Sequence, residues 1–238
     1  NLAAFYVKQH GGGKLDVLRP ICKENNIEFL SKESEAEYQK RIEKEIALEN
    51  ALNAARTALF SEEGKAAREY LHGRGYTSEQ IVKCGFGYIN ADVKKQLSKF
   101  FDLPAAFGVP LYPLLITWKR DGHAVGLKAR AIDSETAPKY MFCKGSFVAE
   151  NLFLQDEIEF EKDAPRLVYL CEGEFDALAG HAQGLNIVAS AGTLKEGQAR
   201  ILKQRIKADA VCIIADNDKK RDTEEKEQAG NKEAAAAA

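Results

Sequence analysis

The spacing of hydrophobic residues changes character near residue 166. Upstream of it, the chain is dominated by helical patterns, and residues 1–10 and 14–26 are predicted to form two short helices separated by a run of three glycines. Residues 33–60 form a longer helical pattern in which charges of both signs alternate and apolar residues are sparse in the first half. Because this composition is typical of a solvated helix, we interpret residues 33–60 as a solvent-exposed linker helix.

The middle of the chain carries two strong local signals. Thr77 is followed three residues later by Gln80, which is the capping-box pattern of a helix start. Within residues 111–132, two apolar runs flank Asp121-Gly122, a dipeptide that favours the two-residue turns of β-hairpins. This region is therefore predicted to be antiparallel sheet.

From residue 166 onward, short apolar runs alternate with helical patterns. RLVYLC, NIVAS and DAVCIIAD predict three strands, and EFDALAGHAQ and LKEGQARILKQRI predict the helices between them. This alternation favours a parallel sheet built from right-handed crossovers. The predicted fold class is α/β, with an α+β N-terminal subdomain that contains the antiparallel sheet and a parallel α/β subdomain after it.

Acidic residues follow two of these predicted strands directly. The segment Glu172–Asp176 comes after the first strand, and Asp216–Asp218 comes after the third. Since ligands bind at the carboxyl ends of strands in open parallel sheets, both segments are expected at one edge. Crowded carboxylates repel one another unless a cation binds, and all-oxygen ligands favour Mg²⁺ or Mn²⁺ over zinc. Either segment alone is typical of a turn or helix cap, but the two together indicate a metal site.

These segments resemble the Toprim domain, which bacterial primases, type IA and type II topoisomerases and some nucleases share. LVYLCEGEFDALAG is similar to its E-G-x-x-D motif and VCIIADND to its D-x-D motif. Ser190–Thr193 resembles the Gly-Thr turn of primases. Upstream, AREYLHGRGYTSEQI, PLYPLLITWKRDGHAVGLKARAI and APKYMFCKGSFVAENLF resemble segments of DnaG-type primases in the same order. That order favours a primase, because topoisomerases and Toprim nucleases lack the upstream segments.

The resemblance implies a DNA primase core, a DNA-directed RNA polymerase that makes short RNA primers by metal-dependent nucleotidyl transfer. It implies Glu172, Asp176, Asp216 and Asp218 as catalytic residues, with Asp216 and Asp218 as metal ligands and Glu172 as a ligand or the general base. Asp176 is expected on the same helix face as Glu172, where it could also act only as a helix-start charge. The candidate contacts to template or nucleotide phosphates are Lys128, Arg130, Lys139, Lys144 and Arg74.

Other expectations concern glycines and aromatic residues. Gly173 and Gly192 are expected to form structural turns. Trp118, Tyr140 and Phe142 lie beside basic residues and could stack on single-stranded template, but the core is the more common place for hairpin aromatics.

The resemblance also divides the chain. Residues 1–48 would be a helical linker from a missing zinc-binding domain, 49–163 the primase N-terminal α+β subdomain, and 164–238 a truncated Toprim domain. The expected cofactor is Mg²⁺ or Mn²⁺, with zinc only in the missing domain. The expected partners are single-stranded DNA, ribonucleoside triphosphates and a replicative helicase. Ten residues, Lys219–Gln228, separate the D-x-D motif from Ala-Gly, a feature more typical of plasmid, phage or mobile-element primases.

Composition adds little to this picture. The five cysteines are far apart and lack zinc-site spacing, which predicts free buried thiols in a reducing cytoplasm. Net charge is −2, so no global field attracts nucleic acid, although Lys and Arg outnumber acids over residues 51–150. No apolar run approaches the roughly 20 residues that span a bilayer, and we expect no membrane association.

Two other classes of function are open on the sequence. A Toprim nuclease or topoisomerase fragment would cleave nucleic acid without nucleotides, and a topoisomerase would need a catalytic tyrosine. A non-catalytic replication module could use the same fold for binding alone. The acidic segments argue against such a module, because a pure binding surface gains nothing from carboxylates that repel one another.

Overall fold

The computed structural model describes residues 34–145 and 147–215, together with Pro20, Lys23 and Glu24. The helices predicted over 1–10 and for AGNKEAAAAA lie outside the described residues, and of the helix predicted over 14–26 only Pro20, Lys23 and Glu24 are described, as helical. Within the described ranges, no helix has both the length and the apolar character needed to span a bilayer.

The longest helix is α1, Glu35–Leu59, which begins at a capping box formed by Ser34 and Glu37. The prediction of a helix over 33–60 is confirmed, but its interpretation as an exposed linker is wrong for the second half. Apolar residues spaced three and four apart there line one face and are fully buried: Ala51, Leu52, Ala55 and Leu59. This face packs on the antiparallel sheet, so α1 is part of the core subdomain from about its midpoint.

Three shorter helices follow: α2, Lys65–Gly73; α3, Ser78–Lys83; and α4, Ala91–Leu97. The predicted capping box at the start of α3 is confirmed. The Gln80 backbone N–H donates to Thr77 Oγ1 at 3.2 Å, and the Thr77 N–H donates to Gln80 Oε1 at 2.9 Å. This reciprocal pair satisfies two backbone donors that a helix start leaves without partners.

The antiparallel sheet has the order β1-β2-β3-β4. Its strands are β1, Gly87–Tyr88; β2, Leu114–Arg120; β3, His123–Arg130; and β4, Tyr140–Phe142. The predicted hairpin is confirmed, with Asp121 (φ 54°) and Gly122 (φ 81°) as its two turn residues. Two consecutive residues with positive φ are what a type I′ turn requires.

The parallel sheet has the order β6-β5-β7, with β5, Leu167–Cys171, in the middle and β6, Ile187–Ala189, and β7, Ala210–Ile214, at its sides. Helix α5, Glu174–Ala182, connects β5 to β6. Helix α6, Glu196–Arg200, leads into a π-helical turn, Ile201–Ile206, before β7. The predicted α/β class is confirmed, and the helix expected over LKEGQARILKQRI is thus part α-helix and part π-helix.

A shared hydrophobic core joins the two sheets. Trp118 of β2 packs against Phe153, while Cys171 of β5 and Phe175 of α5 belong to the same buried cluster. The hairpin and the segment after β5 are therefore held in one packed unit. Outside this core, the Arg205 guanidinium donates to Asp121 at 2.9 Å and to Asp156 at 2.7 Å, which ties the hairpin turn to the end of the parallel subdomain.

The prediction that the cysteines are free is confirmed for the described residues, but the prediction that they are buried holds only in part. Cys143 and Cys171 are buried, Cys84 is half-buried, and Cys212 is exposed. Cys212 lies on β7, where alternate residues project outward from the edge of the parallel sheet. Cys22 lies outside the described residues.

Candidate nucleotidyl-transfer site

Glu172 follows the central strand of the parallel sheet directly and is partly exposed. In the parallel pairing of β5 with β7, Cys171 lies opposite Ile214, so these two strands end at the same level. Asp216 and Asp218, the other predicted ligands, lie outside the described residues. Among the described residues alone, no group of three or more His, Cys, Asp or Glu side chains is arranged to hold a metal ion.

The segment between Glu172 and Asp176 differs from the expectation in one respect. Helix α5 begins only at Glu174, so Glu172 precedes the helix and does not share a helix face with Asp176. The Asp176 carboxylate instead folds back over Gly173, where a Cβ atom would lie 2.5 Å from Asp176 Oδ2. Gly173 has an ordinary φ of −98°, and a Cβ atom there would meet only the carboxylate end of the Asp176 side chain, so the local backbone does not require glycine.

A tight turn after β6 lies beside Glu172. Gly192 has a φ of +108°, in the region that favours glycine, and its N–H points to the Glu172 carbonyl at 3.4 Å. The fully buried Gln198 holds this turn in place, because its Nε2 amide donates to the Ser190 carbonyl at 2.9 Å and to Asn151 at 3.0 Å. The backbone around the acidic segment is thus supported from α6.

A buried ion pair links the antiparallel sheet to the start of helix α5. Lys128 Nζ of β3 lies 2.6 Å from both carboxylate oxygens of Glu174, and the two side chains are only 5% and 1% exposed. The ammonium also lies 3.8 Å from the ring centroid of Tyr140. Burial lowers the pKa of Lys128, although the carboxylate of Glu174 acts in the opposite direction. In this arrangement the ammonium has its donors occupied inside the protein.

Two guanidiniums lie over one aromatic ring next to this pair. The Arg74 and Arg130 guanidinium carbons are 4.5 and 4.8 Å from the Phe175 ring centroid. Arg130 donates to the Tyr70 hydroxyl at 2.6 Å and also to the Tyr140 hydroxyl. Burial raises the pKa of Tyr140 to about 12, so this phenol stays neutral at physiological pH. In the described part of the chain, both guanidiniums donate hydrogen bonds to tyrosine hydroxyls rather than to carboxylates.

The two other lysines predicted to contact phosphates are exposed. Lys139 is exposed at the start of β4, and Lys144 forms an exposed ion pair with Asp102 at 2.9 Å. Trp118 is fully buried between Phe147 and Phe153, which confirms the core interpretation for this residue.

Three contributing residues were missed from the sequence: Glu174, Gln198 and Tyr70. Glu174 lies inside the recognised acidic motif, but its partner is 46 positions away in the chain and no local pattern identifies it. Tyr70 lies four residues before Arg74 in the sequence, and an aromatic residue at that spacing from a basic one is a signal that could have marked it. Gln198 gives no such signal.

Comparisons with known proteins agree with this geometry. A family model described as Toprim-like matches residues 169–232. A DNA primase from Thermotoga maritima is 28% identical over 183 residues, which cover 66% of this chain and 32% of that protein. The chain thus spans about a third of this relative's length.

Two solved structures share the fold. A structure of the Aquifex aeolicus primase with its zinc-binding and RNA polymerase domains matches with a TM-score of 0.62 and 22% identity, covering 99% of this chain and 60% of that one. A DnaG primase catalytic domain bound to single-stranded DNA matches with a TM-score of 0.56 and 19% identity, covering 76% of this chain and 63% of that one.

The antiparallel sheet, the parallel sheet and the acidic segment after β5 define a protein with the catalytic-core fold of primases and a Toprim-like segment. The resemblance predicted from the sequence is therefore confirmed: the chain is similar to DNA primases in sequence and to the DnaG catalytic core in fold.

Proposed function

We propose that this chain is the catalytic core of a DNA primase, which joins ribonucleotides into short RNA primers on single-stranded DNA. The observation that carries the proposal is the parallel register of β5 and β7. Glu172 comes one residue after Cys171, and Asp216 comes two residues after its partner Ile214. Two residues of extended chain span at most about 7 Å, and neighbouring strands lie about 4.8 Å apart. Because both carboxylates follow so closely after paired residues, a shared site for the two is favoured.

The donors available at this edge suit a divalent cation with a preference for oxygen. Glu172 is partly exposed and Asp176 is exposed, so both carboxylates are accessible. We propose Glu172, Asp216 and Asp218 as ligands to Mg²⁺ or Mn²⁺, with Asp176 as an additional acidic residue of the site. When bound, the cation would favour deprotonation of the attacking hydroxyl and neutralise charge on the leaving phosphate.

In the proposed reaction, the 3′-hydroxyl oxygen of one nucleotide forms a bond to the α-phosphorus of the next. The bond from that phosphorus to the β-phosphate oxygen breaks, and pyrophosphate leaves. Glu172, as a ligand or as the base, would lie where the hydroxyl proton is lost. Arg74 and Arg130 would hold phosphate oxygens, because both guanidiniums donate to the Tyr70 hydroxyl and form an ion pair with no carboxylate of the described residues.

The remaining assignments follow from the same proposal. Lys139 and Lys144 are exposed and would contact the phosphates of the single-stranded template. A structure of a related DnaG catalytic domain bound to single-stranded DNA supports such a template. We also propose the three-part division at residues 48/49 and 163/164, and a replicative helicase as a partner.

Primer synthesis tests the proposal directly. The purified protein is incubated with single-stranded DNA, labelled ribonucleotides and Mg²⁺ or Mn²⁺, and the products are separated by length. We expect short RNA products that disappear when the metal is chelated and return when it is restored, because nucleotidyl transfer of this type depends on the cation.

The matched control omits ribonucleotides and follows labelled DNA instead. Cleaved DNA without any RNA product would contradict the proposal and favour a Toprim nuclease. Retained DNA binding without RNA synthesis in any metal would favour a non-catalytic module.

A further inference from the structure

The buried pair formed by Lys128 and Glu174 connects the two halves of the proposed site. Lys128 lies on β3, two residues before Arg130, so their side chains project from the same face of the strand. Glu174 is the first residue of α5 and lies between the two candidate acids Glu172 and Asp176. The pair therefore joins the strand that carries a phosphate-binding candidate to the segment that carries the metal-binding candidates.

The contacts of the pair argue against direct contact with a ligand. Both carboxylate oxygens of Glu174 accept from the same ammonium at 2.6 Å, and its side chain is 1% exposed. The Lys128 ammonium lies over the rings of Tyr140 and Phe142, at 3.8 and 4.8 Å from their centroids. A phosphate could reach Lys128 only after this arrangement had been taken apart.

A second contact orients the same helix start. The Tyr76 hydroxyl donates to the Phe175 carbonyl at 2.8 Å, and the Phe175 ring lies under the guanidiniums of Arg74 and Arg130. The first turn of α5 is thus fixed to the upstream subdomain through its backbone and through the Glu174 side chain. Of these contacts, the ion pair alone joins two oppositely charged side chains that are both buried.

We infer that Glu174 and Lys128 are positioning residues, which set the separation between the acids around Glu172 and the guanidiniums of Arg74 and Arg130. This inference rests on the proposed function and assigns Lys128 an indirect role in place of direct phosphate contact. The separation matters because, in the proposed site, a bound nucleoside triphosphate would contact the acids through its metal ion and the guanidiniums through its phosphates at the same time. Outer residues that orient such groups typically change affinity or activity by about 10- to 100-fold when replaced.

The test uses the 238-residue chain, two designs, and the single variants Lys128→Met and Glu174→Gln for comparison. Glu174→Asp keeps both charges and shortens the link by one methylene. The double variant Lys128→Met with Glu174→Leu replaces the pair by apolar side chains, a change that often preserves stability because no unpaired charge is left buried. For each protein, the thermal midpoint, the binding of ATP with Mn²⁺ by equilibrium dialysis, and RNA synthesis are measured.

We expect both designs to keep a thermal midpoint near that of the parent but to bind ATP about 10- to 100-fold more weakly. Parent-like ATP binding by Glu174→Asp or by the folded double variant would overturn the inference, since the pair would then serve stability alone. Weak binding by Lys128→Met beside normal binding by Glu174→Gln would also overturn it, because Lys128 would then be a direct ligand. A parent chain that binds ATP but makes no RNA would refute the proposed function only.

Discussion

Replacing Asp216 with alanine is expected to reduce RNA synthesis by at least about 1000-fold. A cation that offsets developing charge contributes several kcal/mol to the transition state, and each 1.36 kcal/mol corresponds to a tenfold change in rate. Asp216 is the first residue of the D-x-D motif and the first carboxylate after β7. The yield of labelled RNA per folded molecule is the measurement.

The matched control is Glu161→Ala, which removes an exposed carboxylate from the loop before β5. This control is expected to synthesise RNA at the parent rate, and both variants are expected to keep the parent thermal midpoint. An Asp216→Ala protein that retains more than about a tenth of the parent rate, a loss below 1.4 kcal/mol, would contradict the assignment of Asp216 as a metal ligand.

Replacing Trp118 with alanine is expected to lower the free energy of unfolding by about 3–5 kcal/mol, as in other large-to-small core substitutions. The indole is fully buried, and its ring lies 5.5 Å from Phe147 and 5.6 Å from Phe153, measured between centroids. Removing it leaves a cavity where the two sheets share their core. Urea unfolding followed by circular dichroism measures the loss.

Trp118→Phe is the informative control. Among the described residues, no group accepts a hydrogen bond from Trp118 Nε1, so the phenylalanine variant removes a buried donor that lacks a partner while keeping an aromatic ring. Its loss of stability should therefore be clearly smaller than that of the alanine variant. If Trp118→Ala instead kept its stability and lost affinity for single-stranded DNA, the residue would be a stacking platform rather than a core residue.

Features governed by neighbours in sequence could be predicted. The capping box at Thr77 and the hairpin turn at Asp121-Gly122 depend on side chains and backbone angles within four residues, and both are confirmed. The alternation of strands and helices after residue 166 was sufficient to predict a parallel sheet with the acids after its strands.

Features governed by distant partners could not be predicted. The place of β7 beside β5, with Cys171 opposite Ile214, depends on packing between segments more than 40 residues apart. The partner of Glu174 became evident only once β3 was packed against α5. Alternating charges in the first half of α1 suggested solvent exposure, whereas the apolar face of its second half is buried by a sheet that lies later in the chain.

We propose that Glu172 and the Asp216–Asp218 segment bind one divalent cation. Fe²⁺ substituted for Mg²⁺, with ascorbate and peroxide, generates hydroxyl radicals that cut the backbone beside the bound ion. We expect cuts near residue 172 and near residue 216 that appear at the same Fe²⁺ concentration and are suppressed together by excess Mg²⁺. Cuts at only one of these positions, or at both with separate concentration dependences, would contradict it.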